Sequence, residues 1–262
     1  MEIQAIKKLT PYQDVNDTLV MLTEGVGKII GDNLVGLYLT GSLTYGDFNP
    51  ESSDIDFLAI MKEPLSQDQL QQIIKMHNRI GTSNPKWAKR IEGSYITTAM
   101  LEEAPPPKKP ETTRPYINEG NFWQPFPPYG NEWTINLYVL YENGIALIGP
   151  DPKEIIAPVS IEAVREASRR DLYEEWEPKL KDTAWLENSH YQAYIILTMC
   201  RILYRATHTD VASKKVASTW GKKELGKPWS DLIEKAEKWR HGLQMNSLDE
   251  TIAFIRFMMT KI

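Results

Sequence analysis

LYLTGSLTYGDFNPESSDIDFLAIM, residues 37–61, holds two apolar runs separated by a polar turn. The first run belongs to Leu34–Thr40 (LVGLYLT), short and almost wholly apolar, which reads as a buried strand ending at Gly41-Ser42. The second, residues 54–61 (DIDFLAIM), reads as the next strand. Residues two apart on a strand project to the same side, so Asp54 and Asp56 are expected to point together. Two adjacent carboxylates repel unless a cation or a proton separates them, and hard divalent ions such as Mg2+ suit oxygen ligands. Gly41 allows close backbone approach at a strand end, and Ser42 can offer a hydroxyl and an N–H to a phosphate. A bare D-x-D is a weak signal. Placed after a strand and a Gly-Ser turn, it is a stronger one.

The flanking sequence alternates helix-like and strand-like segments. Residues 11–30 carry Val15, Leu19, Leu22, Val26 and Ile30 on one stripe, the period of a helix. Residues 66–80 read as a polar amphipathic helix opened by Ser66 and closed before Gly81. Residues 90–98 (RIEGSYITT) read as a third strand, carrying Glu92. Taken alone, Glu92 is an exposed polar residue on an alternating edge strand. Beside a pair of aspartates it becomes the natural third acid, as metal ligand, general base or both. From residue 102 to 130 the chain is proline-rich yet keeps Tyr116, Phe122, Trp123, Phe126 and Tyr129, which suits a loop packed on the body or covering a site. Residues 133–143 lean towards helix.

A turn cluster at Gly149-Pro150-Asp151-Pro152 separates this alternating part from a wholly helical one, and the expected domains are 1–152 and 153–262. Helices are expected over 160–181, 188–207, 211–223, 229–242 and 247–261, the last opened by a capping box from Ser247 to Glu250. The fold class is therefore an α/β domain followed by an all-α bundle. Its 262 residues are 42% hydrophobic and 25% charged, enough to bury a sizeable core. One cysteine, Cys200, excludes an intrachain disulfide framework and suits the cytoplasm. No apolar run approaches a membrane span, and the net charge of −5 argues against a general nucleic-acid binder. Residues 1–150 hold 12 basic against 18 acidic side chains, and residues 151–262 hold 18 against 17. The acidic part could attract a cation, and the other could supply basic groups to an anion. His77, His190, His208 and His241 have no metal-ligand spacing and receive no role.

The stretch 37–61 is similar to the G-S-x(n)-D-x-D signature of the nucleotidyltransferase superfamily. Over most of its length the chain resembles bacterial aminoglycoside adenylyltransferases of the streptomycin 3''/spectinomycin 9 kind. The likeness lies in Ser53-Asp54-Ile55-Asp56, the strand with Glu92, ALIGP at 146–150, ILTMCRILY at 196–204 and KKVASTW at 214–220. The resemblance implies a nucleotidyltransferase α/β domain with a mixed sheet, then a helical bundle. It implies transfer of the adenylyl group of ATP to an antibiotic hydroxyl, with Mg2+, two ions in all, held by Asp54, Asp56 and Glu92. By the same resemblance Glu92 is the base, while Ser42, Ser53, Arg201 and Lys214 contact the nucleotide. Glu132, Glu187 and Trp185 fall near positions that meet the drug. The partners implied are ATP and a cationic aminoglycoside, with neither nucleic acid nor membrane, and a monomer is expected. The proline-rich segment departs from the family, whose tryptophan loop there touches substrate, and Trp123 and Trp133 both stand as replacements. Two other readings stand beside this one: a nucleotidyltransferase that modifies a protein or another small molecule, and a non-catalytic relative that only binds.

Overall fold

The computed structural model describes residues 1–102, 113–240 and 242–262. Pro105, Pro106, Pro107 and Pro110 of the proline-rich stretch, and His241, lie outside the described residues. Two compact units follow one another, Met1–Pro158 and Val159–Ile262.

The first unit is built on a six-stranded mixed sheet. Its strands are β1 (Leu34–Thr40), β2 (Ile55–Met61), β3 (Ile91–Thr97), β4 (Tyr116–Asn118), β5 (Asn121–Phe122) and β6 (Ile145–Ile148). They lie in the order β5-β4-β3-β2-β1-β6. Only β2 and β3 are parallel, and the return between them needs a crossover. That crossover holds the second of two long helices, α1 (Gln13–Ile30) and α2 (Gln67–Ser83). The stripe expected on α1 is buried in full. Ser66 opens α2 with a complete capping box shared with Gln69, but the helix does not stop before Gly81. It runs to Ser83, and Asn84 then ties the chain to α1 through Asp14 O and Thr18 Oγ1.

Leu37, Leu39, Phe57, Ala59 and Met61 form one core with the buried stripes of these helices. Strand alternation puts Asp56, Leu58 and Ile60 on the opposite face. A third helix, α3 (Glu132–Asn143), packs against β1. Glu92 is not on an edge strand, because β4 pairs with β3 on the side away from β2. The stretch read as a loop contains a hairpin. Glu119 and Gly120 at its tip have φ of 52° and 80°, the left-handed conformation that a two-residue turn requires between β4 and β5.

The compact units divide between Pro158 and Val159, six residues beyond the turn at Gly149-Pro150-Asp151-Pro152. Asp151 and Glu154 form a capping box for the short helix Pro152–Ile155. Lys153 of that helix reaches Glu142 of α3 at 3.9 Å and stacks over Tyr141, so the segment stays with the first unit.

The second unit is helical: α4 (Ile161–Arg170), α5 (Ser189–Thr207), α6 (Lys214–Leu225), α7 (Trp229–Lys238) and α8 (Leu248–Met259). The helix expected over 160–181 is interrupted, since α4 gives way to a π-helical stretch at Asp171–Trp176. α5 touches all four of the others and buries Ile195, Ile196, Met199, Cys200, Ile202 and Leu203, as a central helix must. The capping box expected at Ser247 does not form. Its hydroxyl accepts from Lys235 Nζ at 2.7 Å and donates to Met245 O, so tertiary partners have claimed it.

Candidate active site

The Gly-Ser turn and the acidic strand meet where β1 ends. Thr40 pairs with Asp56, and Gly41 follows at φ +67° in the 3-10 turn Gly41–Leu43. A Cβ on Gly41 would lie 1.9 Å from Asp56 Oδ2, so only glycine fits both the conformation and the contact. The turn is closed by Thr44, whose N–H and Oγ1 both donate to Gly41 O. Ser42 accepts the Asp47 N–H at its carbonyl, and Ser53 accepts the Asn49 N–H at its hydroxyl, 3.0 Å. Both serines therefore sit in tied loops at the ends of the two strands.

Asp56 and Glu92 stand opposite each other in the parallel register of β2 and β3. Parallel neighbours in register present their side chains to the same face, which brings abreast two acids far apart in sequence. Asp54 lies just ahead of β2 and faces Arg90, whose Nε is 3.6 Å from Asp54 Oδ1. Arg90 also donates to Pro50 O at 2.9 Å and to Ser53 O, and its guanidinium packs 4.5 Å from the Trp87 ring centroid. Among the described residues no three His, Cys, Asp or Glu side chains converge as a metal site. Asp54 pairs with Arg90, while Asp56 and Glu92 sit in register on neighbouring strands. The donor chemistry still fits a hard cation, for Asp56 and Glu92 offer oxygen alone and stand side by side.

Glu92 accepts a hydrogen bond from the Tyr116 hydroxyl of β4 at Oε1. Two residues before Tyr116 lies Arg114, only 7% exposed. It donates to Ser94 Oγ at 3.0 Å and Pro127 O at 3.2 Å, and its Nη2 is 3.9 Å from Glu132 Oε1. Burial pulls the guanidinium pKa down, against the opposing pull of Glu132 first, then Tyr116, Tyr129 and Glu92. Glu132 stands in the first turn of α3 and accepts the Gly130 N–H. Of the two tryptophans, Trp133 is buried and stacked on Tyr129 at 4.4 Å. Trp123 is 52% exposed and sets its ring edge-on to Tyr116 at 5.7 Å. Sequence reasoning missed Arg90, Arg114 and Tyr116. The alternation of Arg114 and Tyr116 about Pro115 was the available signal, but a three-residue strand carries too little periodicity to be read.

In the second unit, Arg201 lies on α5 with its Nε lacking a hydrogen-bond partner among the described residues. Lys214 opens α6, its Nζ 5.4 Å from the ring centroid of Tyr194. Tyr194 precedes Arg201 by two helical turns and so shares its side of α5. Trp185 lies in the turn Ala184–Glu187 within an aromatic cluster, 6.0 Å from both Trp176 and Tyr191, and donates to Lys179 O. Glu187 ends that turn on the surface.

A mixed sheet carrying a Gly-Ser turn against paired acids is the architecture of a nucleotidyltransferase. The nucleotidyltransferase domain model matches residues 24–97, and the model of the aminoglycoside adenylyltransferase C-terminal domain matches residues 154–261. The second match covers the helical unit, and the chain is an enzyme similar to the aminoglycoside adenylyltransferases. It is 27% identical over 226 residues to spectinomycin 9-adenylyltransferase of Staphylococcus aureus, covering 83% of this chain and 82% of that one. It is 24% identical over 273 residues to aminoglycoside (3'') (9) adenylyltransferase of Escherichia coli, covering 95% and 97%. Its fold is that of spectinomycin adenyltransferase AAD(9) from Enterococcus faecialis, solved with ATP and spectinomycin. That match has a TM-score of 0.72 at 18% identity and covers 94% of this chain and 99% of the other. No helix among the described residues is long and apolar enough to cross a membrane.

Proposed function

We propose that this enzyme transfers the adenylyl group of MgATP to a hydroxyl of a streptomycin- or spectinomycin-class antibiotic, releasing pyrophosphate and conferring resistance. The observation that carries the reading is the register of Asp56 beside Glu92, next to a Gly41 turn that admits no side chain. Asp54, Asp56 and Glu92 would hold Mg2+. When bound, the metal would supply positive charge to the α-phosphate and the departing pyrophosphate. Ser42 and Ser53 hold the triphosphate from the two strand ends, and Arg201 and Lys214 supply the cations for it.

The acceptor hydroxyl forms the new bond to the α-phosphorus, the bond to pyrophosphate breaks, and Glu92 takes the hydroxyl proton. A sugar hydroxyl is far too weak an acid to ionise alone at neutral pH, so this transfer contributes ~10²–10⁴-fold to the rate. Glu132, Glu187 and Trp185 receive the drug, the acids by charge and the indole by stacking against a cation. The enzyme works as a monomer in the cytoplasm, where its one cysteine stays reduced.

The test is incubation of the purified protein with ATP labelled at the α-phosphorus, Mg2+ and either drug. Label on the drug is the expected result. Label on a protein instead would move the acceptor, and label nowhere would remove the catalytic reading.

A further inference from the structure

The geometry points to Tyr116 as the positioning residue of the catalytic base: its phenol holds the Glu92 carboxylate in the orientation that receives the proton of the acceptor hydroxyl. This rests on the reading of Glu92 as the base. A glutamate side chain turns about three torsions, and an acid displaced by about 1 Å from productive geometry loses on the order of a hundredfold in rate. Something must therefore fix it. Tyr116 pairs with Ser94 across β3 and β4, which sets its side chain on the sheet face that carries Glu92. Its hydroxyl donates to Glu92 Oε1, which fixes the plane of the carboxylate.

Tyr116 is itself held by two neighbours. The Arg114 guanidinium lies 5.3 Å from its ring centroid, anchored in turn by Ser94 Oγ and Pro127 O. Trp123 meets the ring edge-on, and its backbone N–H donates to Tyr116 O at 3.0 Å. Arg114 spends a buried charge to build this support, and the same guanidinium reaches Glu132. The hairpin of β4 and β5 thereby gains a function. It carries the part that aims the base.

The test compares Tyr116→Phe, Glu92→Gln and the double variant, each as the full chain, with kcat and KM for ATP and drug and the thermal midpoint measured for all. Tyr116→Phe keeps the ring against Arg114 and Trp123 and removes only the O–H donor. Its kcat should fall at least about tenfold with both KM values within about twofold and the midpoint unchanged. Glu92→Gln should still bind both substrates while turning over at least about a hundredfold more slowly. In the Glu92→Gln background the added Tyr116→Phe change should cost almost nothing further, because the base it aims is gone. Near-normal kcat in Tyr116→Phe, a raised drug KM at unchanged kcat, or an undiminished tenfold loss in the double variant would each overturn the inference. Near-normal kcat in Glu92→Gln would instead remove the base assignment itself.

Discussion

Asp56 and Glu92 repel each other across one strand spacing, and Gly41 presses the turn backbone against the first of them. Acids crowded this way cost the fold stability. Asp56→Asn should therefore bring adenylyl transfer down to background while the thermal midpoint of the metal-free protein holds or rises. Wild-type turnover in that variant would remove Asp56 from the metal site. His77 is a buried base packed among aromatic rings. It stacks on Phe57, bonds Tyr95 Oη through Nε2 at 2.8 Å, and burial pushes its pKa down to about 3. The unfolded chain takes up that proton near pH 6.5, so the folded state loses stability as pH falls from there, by about 1.4 kcal/mol per unit. Above pH 6.5 the effect vanishes. The unfolding free energy from urea titration should fall between pH 7.5 and 5.0 by about 2 kcal/mol less for His77→Gln than for the wild type. Equal drops would mean that other groups govern the acid limb.

At the scale of the element, two serines with the same local pattern behave differently. Ser66 accepts from Gln69 N–H and completes its capping box, whereas Ser247 sits buried with its hydroxyl shared between Lys235 and Met245. Ser66→Ala should cost about 1 kcal/mol through loss of the cap, measured by denaturant unfolding, with transfer activity unchanged. A loss of activity at intact stability would show that α2 does more than cross over between β2 and β3. β3 illustrates the reverse dependence of chemistry on pairing. Its parallel partner sets Glu92 beside Asp56, and its antiparallel partner delivers Tyr116 to the same carboxylate.

For the whole molecule, the nucleotide should link binding to stability. A ligand that binds only the folded chain raises its midpoint in proportion to affinity. On the proposed reading, Arg201→Ala and Lys214→Ala would each remove a charge-assisted contact to phosphate, typically ~1.5–3 kcal/mol, or roughly ten- to a hundredfold in ATP affinity. Calorimetry should find that loss for ATP but not for the drug in the absence of nucleotide, and MgATP should protect both variants less against heat. Unchanged ATP affinity would leave the two side chains with structural parts alone, Lys214 against Tyr194 and Arg201 on α5.

Sequence alone determined what local periodicity can encode. The bounds of β1 and the stripe on α1 follow from residue spacing, as do the Ser66 start and the helical second unit. Each such signal is complete within one element, since a side chain two or four positions along already knows its face. Tertiary structure alone decided the rest. β4, β5 and β6 have four residues or fewer, too short to show a period. The register that sets Glu92 against Asp56 is a choice between strands, which no spacing within either can express. Arg90 on Asp54, Tyr116 on Glu92 and Lys235 on Ser247 are likewise partners brought together by packing, and there the nearest polar group in space overrides the nearest in sequence.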